Sequence, residues 1–155
     1  MSNFSASNTL AGTQQATAAA YKTGVALTAA TATLTSARVY DLLFGTSGTP
    51  ADNYMEYDVS RQTAAGTSTA ITPVALDGSQ RAAGTVGAAN FTAEGTITAA
   101  SSQFYLAVNQ RASFRWVAAP GSELVIPATN LAGYAIRFRS AAYTGTTTVQ
   151  AYFLE

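Results

Sequence analysis

Period-two alternation runs through most of the chain from residue 25 onward. Residues 53–61 (NYMEYDVSR) put Met55, Tyr57 and Val59 on one face and Tyr54, Glu56 and Asp58 on the other. Residues 103–108 alternate Phe104, Leu106 and Val108 with polar or small neighbours. Residues 134–138 set Tyr134, Ile136 and Phe138 against Ala135, Arg137 and Arg139. Residues 146–154 set Val149, Ala151 and Phe153 against Gln150, Tyr152 and Leu154. Such alternation marks half-buried antiparallel strands, one side toward a core and one toward water. Residues 38–44 (RVYDLLF) read as a stronger strand stopped at Gly45, and further strand signals cover residues 25–35, 68–76, 91–99, 111–117 and 123–126. Pro73 inside 68–76 argues for an edge or a bulge, and Gly95 falls inside 91–99. Residues 77–90 (DGSQRAAGTVGAAN) read as a long surface loop. No stretch keeps a helical period over three turns.

About eight to ten short strands separated by turn signals predict an all-β fold, an antiparallel β-sandwich or jelly roll. The domain spans residues 25–155. Residues 1–24 (MSNFSASNTLAGTQQATAAAYKTG) are small, polar and weakly patterned, with some helix propensity over 14–21. They are expected to form an extended N-terminal arm that orders on a partner, reaching roughly 70 Å at ~3.3–3.6 Å per residue.

Composition sharpens this picture. Only 10% of residues are charged, against an ordinary ~25%. The 8 basic and 8 acidic side chains cancel, so no net field recruits nucleic acid or anionic lipid. A neutral, charge-poor surface tends to associate. There is no apolar run of about 18 residues, hence no expected membrane helix. Cys 0 excludes disulfides and thiolate chemistry. His 0 removes the commonest general base and zinc ligand.

Candidate chemistry is correspondingly thin. Glu56 and Asp58 share a strand face roughly 7 Å apart at ~3.3 Å per residue, a spacing that could serve a glycosidase-like acid/base pair. A solvated face with Arg61 nearby is the favoured reading. The oxygen-rich stretch 49–53 with Glu56 and Asp58 is the best local calcium candidate, but it lacks the EF-hand pattern. Turn chemistry accounts for it. No catalytic residue, cofactor site or metal site is assigned. Arg111 and Arg115, and Arg137 and Arg139, each sit at same-face spacing on their own expected strands. Pairing with Glu94, Glu123 and carbonyls on a sheet surface is the first reading of these arginines; were those strands neighbours, the four could instead make a patch for an acidic protein surface, since Arg suits bidentate carboxylate contacts. With Tyr21 and Lys22 of the arm they form the candidate partner-binding set. Trp116 shares a face with Phe114 and reads as a core residue or, with exposed tyrosines, as a sugar-stacking platform.

Residues 38–53 (RVYDLLFGTSGTPADN), 58–67 (DVSRQTAAGT), 72–77 (TPVALD) and 109–127 (NQRASFRWVAAPGSELVIP) carry a resemblance. They are similar to a family of small virion proteins from the structural-gene regions of tailed bacteriophages, cyanophages among them. The resemblance implies a capsid decoration or cement protein with a jelly-roll-like core. It further implies a homotrimer bound to the major capsid protein on the outer surface of the virion, with no cofactor and no catalytic motif. A receptor- or glycan-binding module of a tail fibre or head surface is the alternative.

Overall fold

The structure is a computed structural model that describes every residue except 15, 31, 33 and 144. Residues 31 and 33 of the expected first strand, and residue 15 of the expected arm, therefore lie outside the described residues. Twelve strands occur among the described residues: β1 (Asn3–Ser7), β2 (Lys22–Ala29), β3 (Ala37–Thr46), β4 (Tyr54–Ala64), β5 (Thr67–Ile71), β6 (Val74–Ala75), β7 (Thr85–Ala93), β8 (Thr96–Asn109), β9 (Phe114–Val117), β10 (Leu124–Ile126), β11 (Gly133–Arg139) and β12 (Thr147–Leu154). They form two six-stranded antiparallel sheets. The first runs β10-β3-β12-β1-β6, with β9 also on β3; the second runs β5-β7-β2-β11-β4-β8.

The two sheets pack as an all-β sandwich, and alternation decides which residues fill it. Met55, Tyr57 and Val59 of β4, and Tyr134, Ile136 and Phe138 of β11, face inward from the second sheet. Val39, Leu42 and Phe44 of β3, with Val149, Ala151 and Phe153 of β12, face them from the first. Phe44 and Tyr57 meet across the interface at 4.6 Å between ring centroids. The phase of β3 changes at a bulge, where Tyr152 pairs with Asp41 but Phe153 with Val39. One extra residue on a strand re-aims the side chains that follow it. That is why Val39 and Leu42, three apart, both reach the core.

The expected arm over residues 1–24 is overturned. Residues 3–7 are β1, paired to β12 on one side and β6 on the other. Phe4 and Ala6 are fully buried, and Phe4 stacks on Phe153 at 5.5 Å. A short 3-10 turn, Asn8–Ala11, follows, with the Ser7 hydroxyl accepting the Thr9 N–H. Buried Asn8 then locks this turn to β12: its Nδ2 donates to the Thr147 carbonyl at 2.6 Å, and its Oδ1 accepts the Val149 N–H at 3.0 Å. Five residues of weak alternation become a strand because the C-terminal strand supplies the other half of the ladder.

Two further boundaries move. The expected strand over 91–99 is instead the end of β7, a turn at Glu94 and Gly95, and the start of β8. Gly95 is needed there because a Cβ would lie 2.6 Å from the Ala64 carbonyl oxygen. The expected loop over 77–90 is shorter, since β7 begins at Thr85. The Glu155 carboxylate ties down its end, accepting the N–H groups of Gly84 at 2.9 Å and Thr85 at 2.6 Å.

Candidate functional site

The densest polar constellation lies on the outward face of the second sheet. It follows from register. In the β4–β11 ladder Arg137 stands opposite Asp58, and Arg139 opposite Glu56. Two acids at i and i+2 on one strand thus meet two arginines at the same spacing on the next, the favourable cross-strand arrangement for opposite charges. Arg137 donates to Asp58 Oδ2 from Nε at 2.9 Å and from its terminal nitrogen at 2.6 Å. Arg139 Nε donates to Glu56 Oε2. Asp58 also accepts the hydroxyls of Ser60 at 2.6 Å and Ser102 at 2.5 Å. Tyr105 of β8 donates its hydroxyl to Glu56 at 2.9 Å.

Tyr21 covers the pair of arginines. Both guanidinium carbons sit over its ring, Arg137 at 4.7 Å and Arg139 at 4.6 Å from the centroid, a doubled cation–π contact. Burial pushes the Tyr21 phenol above its ordinary value, with the neighbouring Arg139 opposing. The Arg139 hydrogen bond holds the Glu56 carboxyl below its usual range against the opposing effect of desolvation, and Tyr105 assists. That hydrogen bond to Glu56 in turn raises the Tyr105 phenol and, from the other partner, the Arg139 guanidinium.

This arrangement bears on each sequence expectation. Tyr21, Arg137 and Arg139 come together. Lys22 opens β2 beside them, opposite Phe138. Arg111 and Arg115 do not join them, and the expected four-arginine patch does not form. β9 lies in the first sheet, paired to β3, whereas β11 lies in the second. Arg115 instead grips buried Asp41, with its Nε 3.1 Å from both carboxylate oxygens and a terminal nitrogen at 2.6 Å. The Asp41 hydrogen bonds raise the Arg115 guanidinium. Arg111 pairs with Asp52 at 3.0 Å in the open. Glu56 and Asp58 are each paired with an arginine, and a carboxyl held low, as that of Glu56 is, is the reverse of what a general acid needs. Asp52, Glu56 and Asp58 face different arginines, and no cluster of three or more potential metal-ligating Asp, Glu, His or Cys occurs among the described residues. The acidic partners were readable in advance: the matching i, i+2 spacings on two strands of opposite charge are a pairing signal.

The second region is apolar. Along the seam where β8 of one sheet approaches β9 of the other, Phe104, Phe114 and Trp116 pack against the core yet stay half-exposed. Phe104 lies 5.9 Å from Trp116 and 6.2 Å from Phe114 between centroids. Further along the same seam, between β4 and β10, a cavity of about 230 Å³ is lined by Arg61, Thr98, Val125, Pro127 and Tyr134. Trp116 is thus neither a fully buried core residue nor a free platform. Comparison with family models, curated proteins and solved structures finds no match.

Proposed function

We propose that this chain is a structural component of a tailed-phage virion, a decoration or cement protein that binds the outer surface of the head and bridges neighbouring copies of the major capsid protein. The observation that carries the reading is where the charges go. Five of the 8 basic side chains are tied to acids of the same chain: Arg81, Arg111, Arg115, Arg137 and Arg139. What remains for a partner is a charge-poor surface rich in Thr, Ala and Tyr, with Arg38 and Arg61 the exposed arginines outside those five pairs and with half-exposed aromatic rings, and interface cores are poor in charge and rich in aromatics. Many weak contacts held at fixed geometry on a lattice sum to tight binding. Jelly-roll-like connectivity belongs to the same reading. In its support, β2, β11, β4 and β8 lie side by side in one sheet, and most links between successive strands cross to the facing sheet.

The test is binding to heads. Purified chain mixed with phage heads lacking it should co-sediment at a fixed copy number and raise the temperature at which the heads release DNA. Chain left wholly in the supernatant would contradict the proposal. A glycan- or receptor-binding module is the second reading, favoured by Tyr54 and Tyr105, 51% and 56% exposed on one outward face. Aromatic rings presented in this way suit stacking on sugars. Glycan-array binding that Tyr105→Ala removes without unfolding would select it.

A further inference from the structure

We propose that the free edge of β8 is a self-association surface, pairing antiparallel with β8 of a second copy about a two-fold axis through Leu106. The inference does not rest on the virion reading. It starts from how the sheet edges are built. An exposed edge strand is a template for another chain, and proteins blunt such edges by shortness, charge or proline. The other edges here are blunted. β6 has 2 residues and directly follows Pro73; β10 has 3 and is followed by Pro127. β9 has 4 residues and carries Arg115, and β5 has 5. β8 has 14 residues, with no proline and no charged side chain; its first half is bulged against β4, with Ala100 at φ 53, while from Phe104 to Asn109 the register is unbroken. No strand among the described residues pairs with its far side.

Its hydrogen-bonding phase is fixed. The Gln110 N–H donates to the Asn53 carbonyl at 2.8 Å. Alternation then turns the backbone groups of Phe104, Leu106 and Val108 toward β4, and those of Tyr105 and Ala107 away from it. Two copies meeting antiparallel across this edge would let Tyr105 exchange both its backbone hydrogen bonds with Ala107 of the second copy. Leu106 would face its own counterpart, and Phe104 would face Val108. The register is complementary in size, with Tyr against Ala on the outward face and Phe against Val on the inward one. No like charges meet at the axis. The half-exposed inward face of β8 would become continuous with a neighbour's, covering the seam beside Phe114 and Trp116. The contact is isologous, so it yields a pair, in place of the homotrimer that the family resemblance implies.

The chain has Cys 0, so Leu106→Cys introduces a lone thiol. Facing residues of a non-hydrogen-bonded antiparallel pair lie about 4.5 Å apart at Cα, inside the range that a disulfide spans. Leu106→Cys is expected to cross-link to a dimer on mild oxidation, much faster than Val86→Cys, an exposed position on interior strand β7. Light scattering on the unmodified chain is expected to give twice the 15.9 kDa of one chain. Ala107→Pro removes an N–H that faces away from β4 and should return the mass to that of one chain while the fold persists. A chain that is monomeric at every concentration would overturn the proposal. So would a trimer unaffected by Ala107→Pro, or cross-linking of Leu106→Cys no faster than the control.

Discussion

The outward face of the second sheet and the seam beside β8 are neighbours made of opposite materials. On the face, the carboxylates of Glu56 and Asp58 meet Arg139 and Arg137 in the next strand, and Tyr21 roofs the pair. Nothing there is left for a partner to neutralise. Where β8 meets β9 the inward side chains are uncharged, the rings of Phe104, Phe114 and Trp116 half open to water, and Arg115 of β9 is already paired with Asp41. The difference teaches how a chain with 10% charged residues distributes its polarity. Charge is spent on holding strands in register, and recognition is left to uncharged contact area. A surface patch of arginines would have suggested an acidic partner. Arginines already paired suggest instead that the binding surface lies where the charges are not.

The largest expected effect tests the floor beneath both regions. Deleting residues 1–11 removes β1 from between β12 and β6 and uncovers Phe153, so cooperative thermal unfolding followed by circular dichroism should vanish. Retention of a sharp transition would mean that the segment is dispensable after all. Next, Asp58→Ala strands Arg137, whose side chain is 19% exposed. Removing one partner of a buried pair should cost about 3 kcal/mol in denaturant titrations, with no change in self-association. On the seam, Phe104→Ala should cost less, about 2 kcal/mol, because the ring is only half-buried and a fully buried one is worth roughly 3–5. It should also weaken any pairing through β8, which Asp58→Ala should not.

Acidification separates the regions further. Glu56 is held below its ordinary value of 4.5, chiefly by Arg139. A carboxylate whose folded pKa is depressed adds stability that is complete above its unfolded pKa and lost as pH falls through the folded one. Melting temperature should therefore drop as pH falls below about 4.5, and Glu56→Gln should shrink that drop without affecting the seam. The smallest effect belongs to Arg111→Ala. Arg111 and Asp52 are 60% and 72% exposed, and such a pair contributes less than about 1 kcal/mol. A larger loss in chemical denaturation would show that this pair does more than decorate a turn.

Much of the architecture was legible because it is local. The alternation in β4, β11 and β12 specifies both strand and face, and Met55, Tyr57, Val59, Ile136 and Phe153 are all buried as it requires. What was not legible depends on partners far along the chain. β1 has only Phe4 and Ala6 to bury among small polar neighbours, and the strand that makes them count, β12, is the last in the chain. The turn at Glu94 was hidden because alternation passes through Gly95, and only the close approach of the Ala64 carbonyl shows why glycine stands there. The arginine site was half-read. Tyr21, Arg137 and Arg139 do converge, but strand adjacency separates them from Arg111 and Arg115, and no local pattern states which strands are neighbours. Complementary charge spacing on β4 and β11 was the one long-range signal available.

The most direct test of the proposed role is whether and where the chain sits in a phage particle. If the proposal holds, a virion reconstruction should show the β-sandwich in many copies on the outer head surface. Its charge-poor surface should rest on the major capsid protein, and the Arg137–Asp58 and Arg139–Glu56 pairs should remain intact. Virions that contain no copy of the chain would contradict the account.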